Sequence, residues 1–466
     1  MYLSLSQKLQ GVKFYNIMNY MRIILLLFFL LIGLNSVLAY DLVLPKDKKT
    51  CTNSNYAFFV GKAAKSEDII INDEKIFTAS NGAFAHSVKL KEGENRIIVK
   101  SNFNTQVYKF YKSPKQDNIK PKLIEYEPKL YKVKKDNVPL RKTPVDYGMN
   151  RISHLFKDTN LLIDGEIGSF YRVRLSKLNE AWIAKEQVYP SNEIIYPGFL
   201  NVNTNMYKNA SVHEISFTEK LPYTIDEESD EIIFKVFNPF ANEDSIYTVN
   251  IKKYEKYSYK INLNEGKYII KLTEYPIVKE ETLEGLTIVI DPGHGGSEKG
   301  AVGCLGDLEK DINLRIGLFL KEFLSLMGAN VIITRECDGN ISLEDRVKLA
   351  KDNDANIFVS IHLNSIPDIK MDIHKNRGTS VYYYNKNSKE LAKLIQTSVC
   401  NKIETREDGV KTASFAVLRP TDYIGVLVEV AYMTNPIDSI IYTKDDFAIN
   451  TAKAILDAIV EYSFIH

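Results

Sequence analysis

The hydrophobic period of the chain changes once, near Gly285, and that change limits the fold more than any other feature. Before it, apolar residues alternate with polar ones in short runs (68–72, 83–90, 95–100) divided by Asn72-Asp73-Glu74, Asn81-Gly82 and Gly93-Glu94-Asn95. A period of two, cut at short intervals by turn residues, predicts strands with one buried face. After Gly285 the run 286–290 is wholly apolar and ends in Asp291-Pro292-Gly293-His294-Gly295-Gly296. The following stretch, 308–327, sets Ile312, Ile316, Phe319, Leu320, Phe323, Leu324 and Met327 on one helical face. Further strands are predicted over 330–335, 357–362, 379–384 and 425–432, with helices over 343–352, 389–400 and 447–462. Apolar strands alternating with amphipathic helices predict a three-layer α/β domain with a mixed sheet, preceded by all-β modules.

With 466 residues the chain exceeds what one hydrophobic core organises, so several domains are expected. Residues 1–39 read as an export signal: Arg22, an apolar run over 23–32 and the ending Val37-Leu38-Ala39. The run is short against the roughly 20 residues of a bilayer span; a retained anchor is the alternative, and either one exports the rest. The remainder divides into β modules at 40–114 and 127–190, a β-rich module of unknown role at 191–280, and the α/β domain at 285–466. A net charge of +1 gives no basic face for phosphates, which excludes a dedicated nucleic-acid binder. The four cysteines, at 51, 304, 337 and 400, form no CxxC pair, so a metal site here must use His and carboxylates.

Functional side chains in α/β sheets gather where strands end, and His294 and His362 both stand at such ends. Two neutral imidazoles and one carboxylate make a zinc set with an open position for water, whose pKa the ion lowers to about 7. By spacing, the carboxylate is Asp291, Glu298, Asp307, Glu309 or Asp311. Glu429 interrupts the apolar run Val426-Leu427-Val428-Glu429-Val430, where an unpaired carboxylate is costly; it reads as the proton acceptor or as a structural glutamate paired with an arginine or a backbone donor. Asn364 and Arg335, just beyond strand ends, are expected to contact substrate or to support the structure. His86, His154 and His213, scattered singly, read as surface or satisfied core histidines.

The phrases TIVIDPGHGG (287–296), LEKDINL (308–314), VIITRECDGNISLEDRVKLA (331–350), IFVSIHLNS (357–365), GTSVYYY (378–384) and VKTASFAVLRPTDYIGVLVEVAYMTNP (410–436) stand in series. In that order they resemble the zinc-dependent N-acetylmuramoyl-L-alanine amidases. The resemblance implies zinc ligands at His294, Glu309 and His362 and a catalytic carboxylate at Glu429. It departs mildly, with Glu298-Lys299 for Asp-Pro and Val430-Ala431-Tyr432-Met433-Thr434 for Leu-Gly-Phe-Leu-Ser. Some relatives block the zinc with a helix between the SIHxN strand and the next; here residues 365–377 are too few for one. His374, in that segment, reads as a solvent-exposed histidine. The first β module resembles the immunoglobulin-like modules of bacterial surface proteins. The second resembles a bacterial SH3-type barrel, through Val138-Pro139-Leu140-Arg141, Gly168-Ser169-Phe170-Tyr171-Arg172-Val173 and Ala181-Trp182-Ile183.

The expected activity is hydrolysis of the amide between N-acetylmuramic acid and L-alanine in peptidoglycan, with Zn²⁺ as cofactor, by a protein exported to the cell envelope or secreted. Peptidoglycan is the expected partner, with anionic wall polymers as a further one, since the amino-terminal part is weakly basic. The alternatives are a wall-binding protein without catalysis and a zinc amidase acting on soluble muropeptides.

Overall fold

A computed structural model describes residues 40–464 apart from 65–66, 103, 115–120, 242–244, 265, 277, 279–280 and 366–375. The expected export signal and His374 therefore lie outside the described residues. Among those described, no helix is long and apolar enough to cross a membrane.

The amino-terminal part is built of strands. Residues 40–112 form a three-stranded and a five-stranded sheet. Their inward residues, among them Phe59 and Phe84 from one sheet and Ile97 and Val99 from the other, close a single core. A seven-stranded antiparallel sheet follows, in which Trp182 is buried beside Phe170 and Ala184. The next segment forms a four-stranded and a three-stranded sheet. The apolar cluster of the seven-stranded sheet runs on into these two without a break. Phe156 stacks on Tyr223 at 5.9 Å, and the Tyr223 hydroxyl donates to His154 O at 2.7 Å. The chain connection near residue 190 is thus not a gap in packing.

Past Gly285 six strands form one mixed sheet: β1 (Thr287–Pro292), β2 (Asn330–Ile333), β3 (Ile357–Asn364), β4 (Thr379–Tyr383), β5 (Glu407–Thr412) and β6 (Ile424–Tyr432). Their order is β2-β1-β3-β6-β4-β5. The first four run parallel, and β4 pairs antiparallel with β6. Alternate residues face opposite ways. Ile288, Ile290, Ile357, Val359, Val426 and Val428 pack with helices α1 (Glu309–Leu326), α3 (Lys389–Ile403) and α5 (Phe447–Phe464). Val289, Phe358 and Leu427 face the other way, onto Ala350 of α2 (Leu343–Asp352) and the turn at Val417 and Leu418. Burial on both faces accounts for strands that read as unbroken apolar runs. Two elements escaped the periodicity reading. The strand β5 is half-buried between exposed ends and has no fully buried residue, and α4 (Pro436–Tyr442) has only seven residues, too short for a helical stripe.

The domains touch. Val60, Ala79, Ala83 and Ala85 of the first sheets pack on Cys304, Leu305 and Ile440, and Asn81 Nδ2 donates to Ser439 Oγ at 3.0 Å. On the other side Tyr259 N donates to Thr421 O at 2.8 Å, Thr421 Oγ1 donates back to Tyr259 O at 2.7 Å, and Lys260 pairs with Asp354 at 2.8 Å.

Candidate active site

The turn after β1 is held in a backbone conformation that few residues tolerate. His294 has φ +62°, in the left-handed region, and Gly295 and Gly296 follow with φ +134° and +56°. Such geometry persists only when the surroundings over-determine it. Two buried arginines do so from beneath. Arg346, on α2, donates to Pro292 O at 3.2 Å and His294 O at 2.9 Å. Arg335, beyond β2, donates to Pro292 O at 2.9 Å, Gly293 O at 3.0 Å and Lys310 O at 2.7 Å. Burial, the nearby charge of Arg346 and neighbouring carboxylates act on Arg335 with a net downward shift. The structure therefore places Arg335 under the loop, its guanidinium engaged by carbonyls, and not as a free fork facing substrate.

Asp291 is one of the five carboxylates whose spacing from His294 suits a ligand. It is 1% exposed and accepts from Thr334 Oγ1 at 2.8 Å, from Ser360 Oγ at 2.7 Å and from Arg346 Nη1. It anchors the arginine that holds the turn. Periodicity does not reveal this network, although a serine inside the apolar stretch Ile357–Val359, Ile361 was a visible signal.

Of the remaining carboxylates it is Glu309, first residue of α1, that meets the histidines. Its Oε1 lies 3.2 Å from His294 Nε2 and 2.9 Å from His362 Nδ1, and the three ligand atoms lie within 4.8 Å of one another. Its Oε2 accepts from Ala301 N at 2.7 Å, and Oε1 also accepts from Leu363 N at 3.1 Å. Burial raises the pKa of Glu309, but the hydrogen bonds and charges of His294 and His362 outweigh it and hold the carboxyl well below its usual range. In turn burial lowers His362, while the Glu309 hydrogen bond and the charges of Glu309, Glu429 and Asp291 raise it above the ordinary value. Small residues make the approach possible. A Cβ on Gly293 would stand 2.2 Å from His362 Cε1, and one on Gly300 (φ +67°) would stand 2.5 Å from Glu309 Oε2.

Glu429, on β6, is the register partner of His362 on β3. The residue is partly exposed, yet its Oε2 is buried without a hydrogen-bond partner. Burial pushes its pKa up to about 7; the charge of His362 opposes that rise, Glu309 supports it and Lys411 opposes it. No arginine pairs with it among the described residues. Asn364 closes β3, partly exposed, with its carbonyl accepting from Met433 N at 2.7 Å. Asp438 secures the chain after Glu429 by accepting from Gly378 N at 2.7 Å and Tyr432 N at 2.9 Å.

The donor set suits a divalent metal of intermediate softness. The Glu309 Oε1 to imidazole distances of 3.2 and 2.9 Å compare with edges of about 3.3 Å expected when bonds of roughly 2.0–2.1 Å point tetrahedrally, and all three ligand atoms lie within 4.8 Å of one another.

Residues 288–461 match the family model of N-acetylmuramoyl-L-alanine amidase. The germination-specific N-acetylmuramoyl-L-alanine amidase of Bacillus subtilis is 32% identical over 198 residues, which cover 39% of this chain and 81% of that protein. The chain belongs to the N-acetylmuramoyl-L-alanine amidase family. Two further B. subtilis proteins are similar over stretches of comparable length. The uncharacterized protein YqiI is 37% identical over 186 residues, 39% of this chain and 87% of YqiI. The amidase LytC is 38% identical over 182 residues, 38% of this chain but only 36% of LytC, so the likeness covers little more than a third of either protein.

Proposed function

We propose that the protein hydrolyses the amide bond between N-acetylmuramic acid and L-alanine in peptidoglycan, with zinc held by His294, Glu309 and His362. When bound there, zinc supplies Lewis acidity and lowers the pKa of water towards neutrality. The chain's own groups supply the rest. Arg335 and Arg346 keep the His294 turn in its left-handed geometry, so that the metal ligands are oriented before substrate arrives. Glu429 takes the proton of the attacking water at Oε2 and passes it to the departing nitrogen of L-alanine. A carboxyl whose pKa is pushed up to about 7 by burial is matched to both halves of that transfer.

The observation that carries this reading is the lone buried oxygen of Glu429 set opposite His362 in the strand register. The test compares Glu429→Ala with His294→Ala on purified sacculi. Free stem peptides should disappear in both variants, while zinc is retained in the first and lost in the second; turnover by Glu429→Ala would overturn the assignment.

The same reading makes residues 1–39 an export signal, 40–114 an immunoglobulin-like module, 127–190 an SH3-like barrel and 285–466 a three-layer α/β domain, in a protein of the cell envelope or its exterior. It also includes anionic wall polymers as partners of the amino-terminal modules. Asn364, at the open end of β3, is the residue we assign to substrate contact.

A further inference from the structure

A cleft of about 1150 Å³ opens where the seven-stranded sheet, the following β module and the amidase domain meet. It includes none of His294, Glu309, His362 and Glu429, and so lies apart from the amidase site. Its walls are joined by the Tyr259–Thr421 backbone pairing and the Tyr223–His154 bond described above. Gly148 of the seven-stranded domain abuts Ser414, where a Cβ would come within 2.7 Å of the serine Cβ.

The charge on these walls is unbalanced in one place. The cleft's carboxylates are largely engaged: Asp422 pairs with Lys351 at 2.9 Å, Glu227 accepts from the Tyr257 and Tyr259 hydroxyls, and Asp136 accepts from Lys157 N at 2.7 Å. Arg151 from the seven-stranded sheet and Arg419 from the amidase domain line the same cleft, and no ion pair among the described residues uses either one. Arg419 Nη1 reaches only Ser414 O, at 2.8 Å, and Arg151 Nε is buried without a partner, as is His154 Nε2 nearby. Burial, and then the charge of Arg151, lower the pKa of Arg419. Burial, and then the charges of Arg151, Arg419, Arg141 and Lys351, lower that of His154 to about 4. The field at this end of the cleft is therefore positive, and the imidazole stays neutral near pH 7, able to donate or accept. Two guanidinium groups from different domains that line one cleft, neither paired with a carboxylate, are costly unless an anion joins them. Guanidinium forks suit planar or tetrahedral oxyanions, each giving charge-assisted hydrogen bonds.

We propose that this cleft is a binding site for an oxyanion, a phosphate or carboxylate carried on a larger ligand, held between Arg151 and Arg419 with His154 as a neutral hydrogen-bond partner. Because one arginine comes from each side, the bound anion also ties the β modules to the amidase domain.

The test is calorimetric titration of the exported chain with inorganic phosphate and, in a separate arm, acetate, both at constant ionic strength. Saturable binding is expected for at least one of them, and the preferred anion identifies the ligand group as phosphate or carboxylate. Arg151→Gln and Arg419→Gln should each weaken it by about tenfold or more, whereas His294→Ala should bind as the wild type does. Arg419→Lys keeps the charge without the fork and should fall between. In anion-free buffer Arg151→Gln should hold or raise the thermal midpoint, because it removes a repulsion. No saturable binding of either anion, or binding that is lost in His294→Ala and unchanged in the arginine variants, would overturn the proposal.

Discussion

His362 and Glu429 face each other across adjacent parallel strands, as register partners in the β3–β6 ladder. One meets Glu309, and the other keeps an oxygen buried and unpartnered. A single ladder position thus sets the proposed metal ligand and the proposed proton-transfer group side by side on rigid backbone.

Glu429→Gln keeps the shape and removes the base. Release of stem peptides from peptidoglycan should fall by about 10²–10⁴-fold with zinc content unchanged. The same variant reports on pH. A carboxyl raised from an ordinary value near 4.5 to about 7 binds more protons folded than unfolded in that window. Its contribution to stability is therefore full below about 4.5 and is lost as pH rises through about 7, by at most on the order of 3 kcal/mol. In chelator-treated protein, denaturation midpoints followed from pH 4.5 to 7.5 should fall with pH less steeply for Glu429→Gln than for the parent.

Gly293→Ala tests the approach to His362 without touching a ligand. Its Cβ would overlap the imidazole, which has to move away from Glu309. Zinc content measured by mass spectrometry should fall together with activity. Full occupancy in this variant would show that the ring has room the structure does not provide.

Arg346→Met leaves Asp291 charged in the core beneath the turn. Breaking a buried pair costs about 3–5 kcal/mol, and the hydroxyls of Thr334 and Ser360 moderate it towards the lower figure. Urea denaturation of the parent and the variant gives this difference directly. The double variant Asp291→Asn, Arg346→Met should recover part of the loss, because no uncompensated charge remains.

Cys304 is fully buried where the first β module meets the amidase domain, and burial pushes its thiol up to about 12. Cys51 and Cys337 are exposed. Thiol titration of the folded protein should therefore count Cys51 and Cys337 and miss Cys304. Ala83→Asp places a charge in the contact and should make Cys304 reactive without unfolding the amidase domain; an unchanged thiol count would mean that the amidase domain shields it alone.

Periodicity and turn chemistry determined which segments are strands and which are helices, because burial on one face or two writes itself into neighbouring residues. The helix at 343–352 and the strands that carry the chain to His294 and through His362 could be read in this way. Short or half-buried elements such as β5 and α4 carry too little apolar repetition to be seen. Chain spacing left five carboxylates near His294 equivalent, and the fold separated them: Asp291 turns inward to Arg346, while Glu309 turns to the histidines. The roles of Arg335 and Arg346, the contact over Cys304 and the meeting of Arg151 with Arg419 were likewise decided only in three dimensions. Each joins residues far apart in sequence, and long-range packing and electrostatics leave no local pattern from which such pairs can be read.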